Sequence, residues 1–508
     1  MAGNTSGKLR KLREILAEVT DLSRAAAVLE WDQETYMPPG GVEGRAEQQS
    51  TLHRLAHVRF VSDEVGRLLD DLEGEVASLP HDSYEASLVR VTRRDYQQQI
   101  KVPTDLVEYI ARAGATARPF WEKARTDNEF SLFAPYLEKN VELNRRLADA
   151  LGYEKRPYDA LIDLFEPALT TQQLEAIFAE LRTAIVPLVS DIARHADAID
   201  DRFLHADFAP ELQVKYGMQV VTQLGYDLER GRQDISAHPF ETSFGPGDTR
   251  ITTRISPGFF NMCFFGLVHE SGHAMYQQGI SEEIDRTPLW DGASPGVHES
   301  QSRLWENLVG RSQPFWRHFF PSVQSTFPAQ LRGVDEEGFY RAVNKSHPSL
   351  IRVEADEVTY NLHILLRFEL ENEMLEGKLK VKDLPEAWNA RFKSYLGIDV
   401  PNDRDGALQD IHWSGVSFGI FPGYTLGNLI GAQLMEKVRA DIPDLDAQIE
   451  AGEFAPLLAW LRKNLHQHGR KFTPNELMER ITGKPLAAAA WIAYVRRKFG
   501  ALYGLEKD

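Results

Sequence analysis

"FGLVHESGHAMYQQG", residues 265–279, decides how this chain is read. It holds His269 and His273, with Glu270 directly after the first. A spacing of four puts both imidazoles on one helix face, about one turn apart. That arrangement suits two nitrogen ligands on one Zn²⁺. Glu270 is offset around the helix, beside the ion, where its carboxylate could take a proton from the attacking water. Ser256 is a candidate N-cap, Pro257 a first helical residue and Gly279 a stop, which predicts a helix of roughly six turns. Gly272 is the oddity, because glycine inside a helix costs about 1 kcal/mol relative to alanine. A residue without Cβ there lets another backbone or a substrate come close. The competing reading is an apolar core helix, packed by Phe265, Val268 and Met275, with incidental histidines.

A zinc site needs a third protein ligand, expected downstream. "SPGVHESQSRLWENLVG", residues 294–310, offers His298, Glu299 and Glu306. Ser294 and Pro295 signal a second helix start, with Leu304, Trp305 and Leu308 as its apolar face. Glu299 follows His273 by 26 residues, enough for a turn and a second, packed helix. Glu299 can then face the histidines; its plainer role is an ion pair with Arg303, worth tenths of a kcal/mol on a helix surface. Two histidines and one carboxylate leave a fourth position open, the pattern of catalytic zinc.

Around this core the chain reads as mainly helical. Leu9, Leu12, Leu16, Val19 and Leu22 form one apolar stripe on a long first helix. Similar periodicity marks 44–60, 81–100, 104–126, 129–150, 171–200, 209–224, 296–311, 355–376, 383–396, 426–440, 454–467 and 485–503. Residues 234–258 differ: they are rich in Thr, Ile and Ser and broken by "GPGD", which predicts two or three short strands just before the zinc motif. No composition break marks a boundary, so the expectation is one mainly α domain over 1–508, with halves flanking a cleft as the variant. With 43% hydrophobic and 26% charged residues the composition is that of a soluble globular protein. A net charge of −18 argues against nucleic acid or anionic membrane as partner. No apolar run is long enough to span a bilayer, and the N-terminus lacks a secretory apolar core. One cysteine, Cys263, excludes an intrachain disulfide and reads as a core residue; the cytoplasm is the default location.

Further motifs accompany the histidines: "HPF" (238–240), "DTRIT" (248–252), "HESQ" (298–301), "IRVEAD" (351–356), "GALQDIHW" (406–413) and the N-terminal "WDQETYMPPGG" (31–41). Together they resemble the thermostable carboxypeptidase 1 family, the carboxypeptidase Taq type of metallopeptidase, over about residues 6–503. The resemblance implies a helical body with a deep substrate groove and a small β-sheet next to the HExxH helix, similar to neurolysin and angiotensin-converting enzyme. It implies release of single residues from peptides with a free C-terminus, broad specificity, one zinc that cobalt can replace, and a homodimer. Carried over by position, the zinc ligands are His269, His273 and Glu299, and the catalytic carboxylate is Glu270.

An exopeptidase must recognise a terminal carboxylate, and the planar guanidinium fork does so. Arg352 is favoured by the resemblance, with Arg250 and His238 lining the closed groove end. The structural alternatives are ion pairs of Arg352 with Glu354 or Asp356 and of Arg250 with Asp248, and a hydrogen-bonded sheet role for His238. "DIHWSGVSFGIFPGYTLGN", 410–428, reads as a Gly-rich aromatic loop entering a helix, with His412 and Tyr424 as candidate donors to the oxyanion or as packing groups. Three other functions stay open: a zinc oligopeptidase or dipeptidase, a non-catalytic peptide-binding scaffold, and a metal-dependent hydrolase of another amide.

Overall fold

The computed structural model describes residues 7–505. The first six residues, part of the stretch read for a leader, and the ends of the 1–508 assignment lie outside the described residues. Among the described residues, twenty α-helices surround one three-stranded sheet. The first helix, Gly7–Thr35, buries Leu9, Leu12, Ile15 and Leu16 along the stripe its spacing predicts. A continuous apolar core then runs from Leu9 to Tyr503. Cys263 is inside it. No helix is long and apolar enough to cross a membrane.

Several boundaries differ from the sequence reading. Helices at Asp63–Val76, Pro157–Phe165, Gln313–Thr326, Glu336–Val343, Leu445–Ala451 and Pro474–Thr482 were not expected. The segment read as 355–376 starts at Tyr360, because the Asp356 carboxylate accepts from the Val358 and Thr359 amides and holds a turn there. The segment read as 426–440 starts at Phe421 with Pro422 in its first turn, so Tyr424 lies on a helix and not in a loop.

The sheet comprises β1 (Gly231–Ile235), β2 (Glu241–Gly245) and β3 (Asp248–Thr253). β3 is central, parallel to β1 and antiparallel to β2. The predicted "GPGD" turn joins β2 to β3, with Gly245 at φ 144°.

β3 feeds the motif helix, Phe260–Gln277. This helix starts later than Ser256 and Pro257 suggested. The Ser256 carbonyl accepts from Gln213 Nε2 at 2.9 Å and the Pro257 carbonyl from the Phe208 amide at 2.8 Å. Those bonds hold 256–258 as a turn against its neighbour. The helix is buried nearly all round, which explains its apolar sequence. The second helix, Pro295–Arg303, is capped by Ser294, whose hydroxyl accepts from the Val297 amide. It continues as a π-helix over Leu304–Val309 rather than as a plain α-helix to residue 311.

These two helices touch backbone to backbone. A Cβ on Gly272 would lie 2.6 Å from Ser302 Cα and 2.8 Å from Gln301 O. On the opposite side, a Cβ on Gly427 would lie 2.7 Å from Glu299 Cβ, and one on Gly431 would lie 3.1 Å from Ser300 O. The helix carrying Glu299 is thus clasped between glycines of the motif helix and of Phe421–Asp441. Beside it opens a cleft of about 1180 Å³ between the N-terminal helices and β2, with Glu241, Gln277 and His298 among its walls.

Candidate metal centre

The close helix contact brings His269, His273 and Glu299 together, with donor atoms all within 4.8 Å of one another. Glu299 Oε2 lies 3.7 Å from His269 Nε2 and 3.5 Å from His273 Nε2. The outer nitrogens are both engaged. His269 Nδ1 is 2.8 Å from Glu306 Oε2, and His273 Nδ1 is 2.5 Å from His298 Nδ1. Against burial, hydrogen bonding to His269 and the charge of Arg303 hold the Glu306 carboxyl down at about 2. It is an anion that accepts, so His269 donates from Nδ1; against burial, Glu299 and Glu306 raise the imidazole pKa, and the neutral ring turns a lone pair on Nε2 inward. Burial lowers the His298 pKa well below the usual range, with His273 adding to it. A neutral His298 can accept from His273 in the same way. Two inward Nε2 lone pairs and a carboxylate oxygen are a donor set that fits zinc, with outer partners fixing each tautomer.

Glu299 fills both roles that its sequence offered. Oε2 faces the histidines while Oε1 accepts from Arg303 Nε at 2.7 Å. Burial works to raise its pKa, but Arg303, His269 and His273 outweigh that and keep it well below the carboxylate range. Glu270 is buried beside the set. Burial raises its pKa; the histidines pull it back, and Glu299 and Glu306 push it up. A raised carboxyl pKa is what a general base working near neutrality needs.

Arg352 is buried. Its partner is neither Glu354 nor Asp356 but Asp410: Nε donates to Oδ1 at 2.9 Å, and Nη2 lies 2.8 Å away. Nη1 donates to the Tyr360 hydroxyl at 3.0 Å. Tyr360 in turn lies beneath Arg303, 4.6 Å from its ring centroid, which ties this cluster to Glu299. The Tyr424 hydroxyl is 3.5 Å from His412 Nε2, and its ring centroid is 5.2 Å from the Arg352 guanidinium. Burial pushes the His412 imidazole down to about 4, Arg352 and Arg367 adding to it against the pull of Asp410.

Arg250 takes the ion-pair arrangement: Nε and Nη2 donate to Asp248 at 2.8 and 2.7 Å, and the guanidinium stacks 4.2 Å over Trp31. His238 is exposed between β1 and β2, its carbonyl accepting from Ser236. Among the described residues no hydrogen bond or ion pair joins either to the metal set. Sequence reasoning missed the backing roles of His298 and Glu306 and the sharing of Asp410. One signal was available: Glu299, Arg303 and Glu306 fall on one helix face by spacing.

A two-histidine, one-carboxylate donor set inside a helical body, with a buried carboxylate next to it, is an arrangement that suits a metallopeptidase. The family model for carboxypeptidase Taq (M32) metallopeptidases matches residues 11–499, and the chain belongs to that family. It is a metallocarboxypeptidase. It is 43% identical to thermostable carboxypeptidase 1 of Thermus thermophilus, covering 97% of this chain and 99% of that one. It is 40% identical to carboxypeptidase 1 of Bacillus subtilis, covering 96% and 97%. The crystal structure of an M32 carboxypeptidase from Deinococcus radiodurans R1 superposes with a TM-score of 0.95 at 43% identity, covering 98% of this chain and 100% of that one. Metallocarboxypeptidase 1 of Trypanosoma cruzi does so with 0.92 at 30%, covering 96% and 99%.

Proposed function

We propose that this enzyme is a zinc carboxypeptidase that releases single residues from peptides with a free C-terminus, with broad specificity. One observation carries the reading. The donor set is linked through Arg303 and Tyr360 to the buried Arg352 guanidinium, and through His298 to the wall of an open cleft. A chain lying in the cleft would present its last peptide bond to the metal and its terminal carboxylate to Arg352.

His269, His273 and Glu299 would hold the zinc, or cobalt in its place. When bound, the ion supplies Lewis-acid activation of the attacking water and of the scissile carbonyl. Glu270 takes the proton from that water and returns it to the leaving amine. Tyr424 keeps its proton, because burial raises its pKa further, with Tyr360 adding to it; it donates to the developing oxyanion. His412, neutral at pH 7, backs the Tyr424 hydroxyl. Arg352 uses the N–H groups that Asp410 and Tyr360 leave free to hold the terminal carboxylate, which fixes which bond is cut. For Arg250 and His238 as lining of the closed groove end, the support is the motif resemblance alone. The same resemblance supports a single domain over 1–508 of the neurolysin and angiotensin-converting enzyme architecture, a homodimer and a cytoplasmic location.

The test is incubation of the zinc-loaded enzyme with an N-terminally blocked peptide, followed by mass spectrometry. Stepwise loss of single C-terminal residues, abolished by chelator, is the expected result. Internal cleavage or release of dipeptides would reassign it as an oligopeptidase.

A further inference from the structure

The helix Tyr360–Leu375 carries two charged side chains one turn apart that the mechanism above does not use. Arg367 and Glu371 are both fully buried. Arg367 Nε donates to Asp410 Oδ2 at 2.6 Å, and Nη1 donates to the His363 carbonyl at 2.6 Å. Glu371 accepts three hydrogen bonds: from the Tyr158 hydroxyl at 2.6 Å, the Trp413 indole at 2.8 Å and the Gly419 amide at 3.1 Å. The four-residue offset puts both on one face.

Their partners share a segment. Asp410, Trp413 and Gly419 are the start, middle and end of residues 410–419, whose one regular feature is a short 3₁₀ turn, His412–Gly415. This segment delivers Asp410 to Arg352 and His412 to Tyr424. It passes without slack at Gly419, where φ is +90° and a Cβ would meet the Leu161 backbone at 2.8 Å. From the other side, Asn140 Nδ2 donates to the Trp413 carbonyl at 2.8 Å. Among the described residues Glu371 has no lysine or arginine at ion-pair distance. Burial pushes it up to about 7, against Tyr158, Gly419, Trp413 and the charge of Arg367, which all pull it down. An apolar side chain of similar volume would fill that site at lower desolvation cost. What the carboxylate adds over such a side chain is the ordering of three donors from two segments.

We propose that Arg367 and Glu371 are positioning residues, a single helix face that fixes segment 410–419 so that Asp410 orients Arg352 toward the substrate carboxylate. The inference rests on the reading of Arg352 given above. Asp410 is shared, Oδ1 toward Arg352 and Oδ2 toward Arg367, so a shift of the segment turns the Arg352 fork with it.

The test compares kcat and KM for wild type, Glu371→Gln and Arg367→Lys on matched peptides with free or amidated C-termini. The readout is each enzyme's own preference for the free form. In both variants that preference falls roughly tenfold or more, chiefly through KM, the scale on which loss of an orienting partner acts. A preference equal to wild type, even with a lowered Tm, overturns the proposal. Should both variants fail to fold, Trp413→Phe removes one donor and keeps the ring: a smaller fall in the same direction supports the idea, and no fall overturns it. Wild type without any such preference refutes the carboxylate-anchor reading of Arg352 itself, and the inference with it.

Discussion

Gly272→Ala tests how the metal centre is built. The added methyl would stand 2.6 Å from Ser302 Cα and 2.8 Å from Gln301 O, both backbone atoms that no rotamer change can move. Ordinary contact begins near 3.4 Å, so the helix carrying Glu299 must retreat by about 0.8 Å, and overpacking of this kind costs about 1–3 kcal/mol. Retreat is blocked behind by Gly427 and Gly431, which already touch Glu299 and Ser300. Alanine regains about 1 kcal/mol of helix propensity, so the metal-free protein should lose only about 0–2 kcal/mol. The larger effect falls on zinc. Ligand distances in such sites hold to within about 0.2 Å, and a shift several times that size withdraws one ligand of three. Zinc affinity should fall at least as far as outer-partner mutations take it, about 10- to 100-fold. At saturating zinc a 100-fold loss removes about 2.7 kcal/mol of the stabilisation that metal confers. Competition with a chromogenic chelator gives the affinity, and Tm with and without zinc gives the linkage. A Gly272→Ala protein that binds zinc as wild type does would refute the claim that helix proximity sets the ligand geometry.

Glu270→Gln should keep zinc stoichiometric by metal analysis while kcat drops by about 10²–10⁴-fold, the range of general acid–base catalysis; an active variant removes Glu270 from that role. Arg352→Ala should weaken peptides with a free C-terminus by the 1.5–3 kcal/mol typical of a hydrogen bond to a charged group, about 10- to 100-fold in KM, and amidated peptides far less. Equal loss on both would strip it of the anchor role. His412, held down at about 4 by burial with Arg352 and Arg367, should show no imidazole titration by NMR above pH 5. Its folded pKa lies below the unfolded value near 6.5. The unfolded chain therefore takes the proton first, and this group's contribution to stability is complete above pH 6.5 and erodes as pH falls toward 4. A midpoint near 6.5 in the folded protein would contradict the enclosed, cationic setting described for it.

The grouping of His269, His273 and Glu299 was legible because the three are local in sequence and each sits on a helix whose period is known. Gly272 announced the close backbone approach, because glycine inside a helix costs stability that its missing Cβ must offset. The Arg352 pocket was less legible. Its motif pointed to Arg352, but the partner lies 58 residues away, and nothing in helical spacing links Arg352 to Asp410. The unexpected helices share another cause. Gln313–Thr326 contains Pro321, and Pro474–Thr482 and Leu445–Ala451 are nine and seven residues long. Such segments are marginal alone and are held by packing, as Phe315, Trp316 and Phe319 are in the core. The late start of the motif helix at Phe260 has the same origin, since Gln213 and Phe208 capture the carbonyls that a Ser–Pro helix start would have used.

The metal set and its backing partners all fall between His269 and Glu306, within two helices that follow one another along the chain. The guanidinium cluster joins Arg352, Tyr360, Arg367, Asp410 and Tyr424, whose hydrogen-bonded partners lie up to 58 residues apart and all follow Glu306 in the chain. Closing a short helical hairpin carries a smaller loop entropy than gathering those distant segments. Glu306 precedes Tyr424 by 118 residues, so every candidate metal ligand is synthesised before that cluster can be complete. On the function proposed above, the metal centre can form before the pocket that would hold a terminal carboxylate.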